Sequence, residues 1–225
     1  MERKFKISIG EYYHVYNRGV DKRNIFGDIK DKERFLRLLY LCNSNEGFKF
    51  KFFEGDSLSK INKIKTEKIV SIGAYCLMDN HFHFLFKEVV PGGISKFMEK
   101  FSTAYTMYFN KKNERTGSLF SGTFKAEHCN RDKYLKYMYS YIHLNPLKFI
   151  DPLWKTREVS DLKKLKKNLG EYKYSSYLDY FDEKNEREES LILDKKEFPE
   201  YFQDGEFEKF IDSWIEFKLI PKFQG

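Results

Sequence analysis

Two apolar runs separated by the polar link Met78–Asn80 limit the folds that are open to this chain. Ile69–Leu77 and His81–Glu88 are rich in β-branched and aromatic residues, and the link is short enough for a hairpin turn. Side chains alternate between the faces of a strand, so we expect His81 and His83 on the same face. Two adjacent imidazoles can begin a metal site, although an isolated pair of this kind more often has a structural role.

The segments on either side of this hairpin predict the rest of a sheet and its covering helices. Further strands are expected at Tyr12–Gly19 and Thr123–Cys129. Periodicity and capping residues predict helices at Lys32–Cys42 after the cap Asp31, at Ile94–Asn113, and at Lys133–Leu144 after the cap Asp132. This order predicts an α+β fold of the ferredoxin-like split βαβ type, an antiparallel sheet with two helices on one face and an added helix on the other. Phe48–Phe52 alternates like a short strand within residues 43–68, which we interpret as an insertion or a mobile loop.

Charge and composition indicate the type of partner and the compartment. The net charge is +7 at pH 7, and residues 1–150 are basic whereas residues 176–225 are acidic. A basic body favours nucleic acid, since cations that contact phosphates release counterions. The three cysteines form no CxxC pair, and no apolar run approaches the ~18 residues of a membrane span. We therefore expect a cytoplasmic protein with a domain at 1–150 and a mostly helical extension at 151–225, basic and then acidic.

The predicted helix Lys133–Leu144 carries a row of tyrosines. They are Tyr134, Tyr137, Tyr139 and Tyr141. Residues four apart share a helix face, so Tyr141 and Asn145 are neighbours. If this face meets His81 and His83, two imidazoles and an amide oxygen can hold a divalent metal that polarises a phosphate for attack by a phenol. The arrangement would support phosphodiester cleavage by tyrosine, although a tyrosine row at helical spacing more often belongs to a core.

Four stretches resemble, in order and spacing, those of a known family. They are the first strand Tyr13–Gly19, the His-hydrophobic-His strand with its lead-in Leu77–Leu85, the Gly-x-Leu-aromatic stretch Gly117–Phe124, and the helix end Tyr141–Pro146. With these motifs the chain resembles the HUH single-tyrosine transposases, and specifically their branch of REP-associated tyrosine transposases. The resemblance covers residues 8–150, and Tyr172–Tyr177 is similar to a short motif often found downstream in that family.

The resemblance implies a transposase-like enzyme that nicks and joins single-stranded DNA beside a hairpin. The metal ligands that it implies are His81, His83 and Asn145. The metal would be Mg²⁺ or Mn²⁺. Tyr141 would be the nucleophile and would stay linked to the 5′-phosphate, with Tyr137 and Tyr139 as rivals from the same helix. Relatives of this kind act as monomers or as homodimers, and both states remain open.

Basic residues of the first loop and of the extension are candidate DNA contacts. They are Arg18, Lys22, Arg23, Lys163, Lys164, Lys166 and Lys167. The lysines of the extension could equally form a solvated helix face, and His14 is expected to be structural or to contact DNA. Two other functions stay open, a non-catalytic nucleic-acid-binding module on a ferredoxin-like sheet and a metal-dependent hydrolase that uses an activated water.

Overall fold

The computed structural model describes residues 6–53, 55–63, 67–154, 162–181, 187–201 and 206–217. The strands are β1 (Tyr12–Arg18), β2 (Val70–Met78), β3 (His81–Glu88) and β4 (Lys125–His128). They form one antiparallel sheet in the order β2-β3-β1-β4. The helices up to residue 150 are α1 (Ile29–Leu41), α2 (Leu58–Ile61), α3 (Gly93–Lys112) and α4 (Asp132–Leu144). The predicted ferredoxin-like arrangement is confirmed.

The two faces of the sheet pack against different helices. One cluster joins α1 and α3 to alternate residues of β3, which are Phe82, Phe84 and Phe86. The rings of Phe82 and Phe35, on α1, have their centroids 5.3 Å apart. Leu85 belongs instead to the cluster that α4 completes. Because His81 and His83 alternate with these phenylalanines, they face α4, and Phe82 points into the core behind them.

The end of α4 is fixed by proline. Pro146 has no N–H to continue the helical ladder, so α4 stops at Leu144 and the chain continues as a 3₁₀ turn over Asn145–Phe149. The apolar side of α4 packs onto β2 and β3 through Leu135, Met138 and Ile142. Tyr141 is half-buried beside this packed side. The last turn of α4 therefore places Tyr141 against the sheet face that carries the two histidines.

The predicted cap of α1 is wrong. The helix begins at Ile29, three residues before the expected start, and the carboxylate of Asp28 accepts from the backbone N–H of Asp31 at 3.0 Å. The Asp31 carboxylate is buried and accepts from the Gly27 backbone N–H at 2.7 Å and from the Tyr108 hydroxyl at 2.7 Å. Because tertiary partners occupy Asp31, the earlier aspartate serves as the cap.

The residues of Phe48–Phe52 alternate like those of a short strand, but the second half of this stretch forms a 3₁₀ turn at Phe50–Phe52. Two of its rings contact separate cations. The guanidinium carbon of Arg34 lies 3.1 Å from the centroid of the Phe50 ring, and the ammonium of Lys100 lies over the Phe48 ring. Alternating aromatic residues thus mark separate cation–π contacts at this site and not a strand. Of the surrounding insertion, residues 54 and 64–66 lie outside the described residues.

The described part of the extension is mostly helical, as predicted. It contains α5 (Leu162–Glu171), α6 (Tyr177–Phe181) and α7 (Glu206–Phe217), and two 3₁₀ turns at Glu188–Ile192 and Lys195–Glu197. A third apolar cluster joins α5 and α7 to Leu144 and Leu147 at the end of α4. Within the described ranges, no helix is long and apolar enough to cross a membrane.

A segment of the extension covers the outer edge of β2. The backbone N–H of Leu77 donates to the carbonyl of Tyr174 at 2.9 Å, and that of Ser176 donates to the carbonyl of Tyr75 at 3.0 Å. The hydroxyl oxygen of Ser176 also accepts from the backbone N–H of Tyr75 at 2.9 Å. An edge strand exposes unpaired backbone groups, and this pairing satisfies several of them. The downstream Tyr172–Tyr177 stretch is thus part of the sheet's boundary.

Candidate active site

β3 presents His81 and His83 side by side, with ring centroids 5.0 Å apart and ring planes at 89°. Nδ1 of His81 lies 2.6 Å from Oδ1 of Asn80, whose amide nitrogen donates to the carbonyl of Lys22 at 3.1 Å. Because the second bond orients the carboxamide, its oxygen accepts from Nδ1–H of His81. Nε2 of His81 therefore keeps the lone pair that a metal ion would need.

The charge state of His81 suits the same role. Burial lowers the pKa of His81 to about 4, with smaller contributions from the charges of Lys148 and Arg18 and against the opposing effect of Asp79. The imidazole is consequently neutral at neutral pH. A ligand histidine must be deprotonated to bind a cation, so this environment prepares the ring for coordination.

Tyr141 is the α4 tyrosine that reaches the histidines. Its ring centroid lies 5.3 Å from that of His83 and 5.6 Å from that of His14, both in edge-on arrangements. Tyr137 and Tyr139 are only 6% and 1% exposed and pack within the cluster under α4. Tyr141 is the one of these three that lines the pocket in front of His81 and His83. The structure thus brings Tyr141, and neither rival, to the histidine pair.

The phenol of Tyr141 is not activated in advance. Burial raises the pKa of Tyr141, and the proximity of Glu127 and Cys76 raises it further. The hydroxyl is therefore protonated at neutral pH and is a weak nucleophile. Any reaction that it performs needs a strongly polarised target.

The pocket has a volume of about 380 Å³ and a cationic lining. Its charged lining residues are Arg18, Lys22 and Lys125, and no carboxylate lies among the described residues that line it. A concave site with three cations, two imidazoles and the phenols of Tyr16 and Tyr141 suits a phosphate-bearing ligand. A larger groove of about 1100 Å³ lies between α3 and the segment 47–51, but its lining includes neither histidine.

Asn145 lies one turn beyond Tyr141 and is 1% exposed. Its Nδ2 donates to the carbonyl of Tyr141 at 2.7 Å, which orients the carboxamide. Its Oδ1 is buried and has no hydrogen-bond partner among the described residues, although Asn145 does not line the pocket itself. In the part of the chain that the structure describes, no three residues of the types His, Cys, Asp and Glu form a metal cluster. Imidazole nitrogens and an amide oxygen are nevertheless ligand types that a divalent cation accepts.

Behind the histidine pair lies a layer that the sequence did not reveal. Nε2 of His14 is 2.9 Å from Nδ1 of His83, and Nδ1 of His14 is 3.6 Å from Oε2 of Glu127. Contact with His14 lowers the pKa of Glu127 to about 2, helped by hydrogen bonds from Tyr16 and Tyr134 and opposed by desolvation. Strand parity alone places His14 and Tyr16 on one face of β1, but it cannot give the register against β3 and β4 that joins them to His83.

The candidate DNA contacts fall into two groups. Arg18 and Lys22 line the pocket, whereas Arg23 is exposed and does not. The other candidates lie on α5, where the exposed side chains are Lys163, Lys164 and Lys167. The ammonium of Lys166 is held by Glu208 at 2.5 Å and by Asp212 at 3.0 Å. Lys125, which the sequence did not single out, joins the pocket group.

Comparison with known proteins gives a family match and a structural similarity. A sequence model of the family described as "Transposase IS200 like" matches residues 10–145, the range from just before β1 to Asn145. A solved structure of a REP-associated tyrosine transposase bound to a REP hairpin is similar, with 12% identity, a TM-score of 0.46, and coverage of 80% of this chain and 84% of the other. None of the curated proteins compared matches the chain. Because the family match spans more than half of the sequence and includes every residue of the histidine–tyrosine pocket, the chain belongs to the IS200-like transposase family.

Proposed function

We propose that this protein is a metal-dependent endonuclease and strand transferase that acts on single-stranded DNA beside a hairpin, through a 5′-phosphotyrosine intermediate. The observation that carries the proposal is that Tyr141, alone among the three candidate tyrosines, lines a cationic pocket with His81 and His83. The family supplies the general activity of a transposase. The REP-associated branch, which the sequence motifs resemble, is the one that we propose.

His81, His83 and Asn145 are the residues that would hold Mg²⁺ or Mn²⁺. The lone pair on Nε2 of His81, the low pKa of that ring and the orphaned Oδ1 of Asn145 support this assignment. When bound, the metal supplies Lewis acidity that polarises a phosphate oxygen. That polarisation would compensate for the raised pKa of Tyr141, whose phenol is otherwise a poor nucleophile.

The chemistry of Tyr141 is an exchange of one phosphoester bond for another. Its hydroxyl oxygen attacks the scissile phosphorus and loses its proton, while the bond from phosphorus to the 3′ oxygen breaks and that oxygen gains a proton. The products are a 5′-phosphotyrosine on the protein and a free 3′-hydroxyl on the DNA. Attack by another 3′-hydroxyl reverses the step and joins strands, so that no external energy source is needed.

The cations of the pocket would bind the DNA backbone. Arg18, Lys22 and Lys125 line the pocket, and phosphate contacts position a strand without reading its sequence. Their proposed role is to hold the strand so that a single phosphate reaches Tyr141.

The decisive experiment is incubation with a hairpin oligonucleotide that has a single-stranded flank, in Mn²⁺ or Mg²⁺. We expect a covalent adduct that migrates with the protein in a denaturing gel, and peptide mapping should place it on Tyr141. Tyr141→Phe should abolish the adduct, because it removes only the attacking oxygen. Tyr137→Phe is the matched control, since Tyr137 is buried on the same helix and should leave the adduct intact.

Two results would support the other functions. Cleavage that leaves no protein attached and survives Tyr141→Phe would indicate a hydrolase with an activated water. Hairpin binding with neither cleavage nor adduct in either metal would indicate a non-catalytic binding module.

A further inference from the structure

A line of polar groups runs across three strands and ends on the inner side of His83. Glu127 on β4 is paired in register with His14 on β1, and β1 is paired with β3. His14 is only 3% exposed, so its two ring nitrogens interact mainly with protein atoms. Nε2 of His14 lies 2.9 Å from Nδ1 of His83, and its Nδ1 lies 3.6 Å from Oε2 of Glu127.

Glu127, at the outer end of this line, indicates which ring nitrogens of the two histidines carry hydrogen. The Glu127 carboxylate accepts from the hydroxyls of Tyr16 and Tyr134, each at 2.9 Å, and it is an acceptor only. The carboxylate lies 3.6 Å from Nδ1 of His14, and its negative charge favours the tautomer of His14 that carries hydrogen on that nitrogen. In a neutral imidazole the other nitrogen then accepts, so Nε2 of His14 receives a hydrogen bond from Nδ1–H of His83.

We propose that Glu127 and His14 are positioning residues that fix His83 as its Nδ1–H tautomer and present its Nε2 to the metal. The inference rests on the metal site proposed above and assigns roles to two residues beyond its ligands. His81 reaches the same tautomer through Asn80. Both histidines of β3 are thus held by a second layer of hydrogen bonds, as ligand histidines commonly are.

The line is also held rigidly. Its members lie on adjacent strands of one sheet, and the rings of His14 and His83 are stacked with centroids 5.1 Å apart. Tyr16 packs beside both rings, with its centroid 4.8 Å from that of His14 and 5.8 Å from that of His83, and its hydroxyl donates to Glu127 at the far end. A rotation of the His83 ring would therefore break its contacts with His14 and Tyr16 on β1.

The tautomer can be read directly in the metal-free, full-length protein labelled with ¹⁵N-histidine. Long-range ¹H–¹⁵N spectra distinguish a protonated from an unprotonated ring nitrogen. We expect His83 to be protonated on Nδ1 in the wild type and in His14→Gln, whose amide oxygen can still accept the bond. In His14→Phe the acceptor is lost, so His83 should shift towards the Nε2–H form. His128→Phe, on the outer part of β4, is the matched control and should leave His83 unchanged.

Metal affinity provides the second readout. Calorimetric titration with Mn²⁺ should show a dissociation constant about 10- to 100-fold higher in His14→Phe than in the wild type, with His14→Gln close to the wild type. Glu127→Gln should weaken binding in the same direction. Glu127→Gln tests the inference even if His14→Phe fails to fold, because it alters a side chain that is 40% exposed. We expect it to leave the register of β1 unchanged.

The outcomes separate this inference from the metal site itself. If His83 carries its proton on Nε2 in the wild type, or if both His14→Phe and Glu127→Gln leave tautomer and affinity unchanged, Glu127 and His14 do not position it. If instead His81→Ala and His83→Ala leave Mn²⁺ affinity unchanged, the proposed metal site is wrong, and the tautomer spectra still decide whether His14 controls His83.

Discussion

The nitrogen and the oxygen of the Asn145 carboxamide lie in different surroundings. The nitrogen donates to the carbonyl of Tyr141, whereas the buried oxygen has no hydrogen-bond partner within the described ranges. A buried acceptor left unsatisfied costs roughly 1–3 kcal/mol. A cation bound to that oxygen would offset the cost, so the same residue could both anchor the helix turn of the nucleophile and complete the metal ligands.

Two substitutions separate these roles. Asn145→Leu removes the oxygen and the donor together, and we expect it to abolish adduct formation and to weaken Mn²⁺ binding at least tenfold, in the range found when a ligand shell is disturbed. Asn145→Asp also loses the donor to Tyr141 but keeps an oxygen ligand, so it should retain Mn²⁺ binding and part of the activity. Calorimetric titration and the adduct assay measure the two effects.

If the Mn²⁺ affinity of Asn145→Asp is as low as that of Asn145→Leu, the side-chain oxygen at position 145 is not a metal ligand. The contribution of Asn145 would then be its hydrogen bond to the end of α4.

At the scale of elements, α4 is tied to the segment that closes the edge of β2. His143, on the side of α4 away from the pocket, is fully buried and lies with Nε2 2.7 Å from the hydroxyl oxygen of Ser176. Ser176 in turn bonds the backbone of Tyr75 in β2. The helix that carries Tyr141 and the strand beside β3 are therefore joined through one neutral imidazole.

This link predicts a loss of stability in acid. Burial lowers the pKa of His143 to about 3, whereas an unfolded histidine titrates near 6.5. The contribution of neutral His143 to the free energy of unfolding is fully present above pH ~6.5. It falls as the pH drops towards 3, because in this range only the unfolded chain takes up the proton. Between pH 7.5 and pH 5 the free energy of unfolding of the wild type should therefore fall by roughly 2 kcal/mol more than that of His143→Gln, whose side chain cannot ionise. Urea unfolding at pH 7.5 and pH 5 measures the difference, and equal losses in both proteins would contradict this explanation.

The elements that the sequence predicts well are those that local pattern determines. The hairpin of β2 and β3, the parity of His81 and His83, and the end of α4 before Pro146 follow from alternation and from a missing N–H. Tertiary contacts decide the rest. Asp31 resembles a helix cap until buried partners occupy it, and Glu127 resembles an ordinary strand carboxylate until the register of β4 sets it beside His14.

At the scale of the whole molecule, the cations considered as DNA contacts are divided between the pocket and α5. Arg18, Lys22 and Lys125 line the pocket of Tyr141, whereas Lys166 of α5 lies against the acidic helix α7. Lys166 is neutralised there by Glu208 and Asp212. The acidic part of the sequence thus pairs in part with the basic extension, whereas no carboxylate lies among the described residues that line the pocket. The sequence alone could not reveal this division, because net charge carries no information about which carboxylates meet which lysines.

The division predicts different salt dependences for lysines in the two places. Lys22→Gln and Lys125→Gln should each weaken binding of a hairpin with a single-stranded flank. Each should also reduce the slope of log K against log salt by roughly 0.7, the value for one phosphate contact on a single strand. Lys166→Gln removes the same charge and should leave that slope unchanged, while lowering the free energy of unfolding by up to about 1 kcal/mol. Fluorescence anisotropy titrations over a range of KCl concentrations, paired with urea unfolding, measure both quantities. A reduced slope in Lys166→Gln that matches Lys22→Gln would instead show that α5 contacts DNA, and the ion pairs with α7 would then have to open when the hairpin binds.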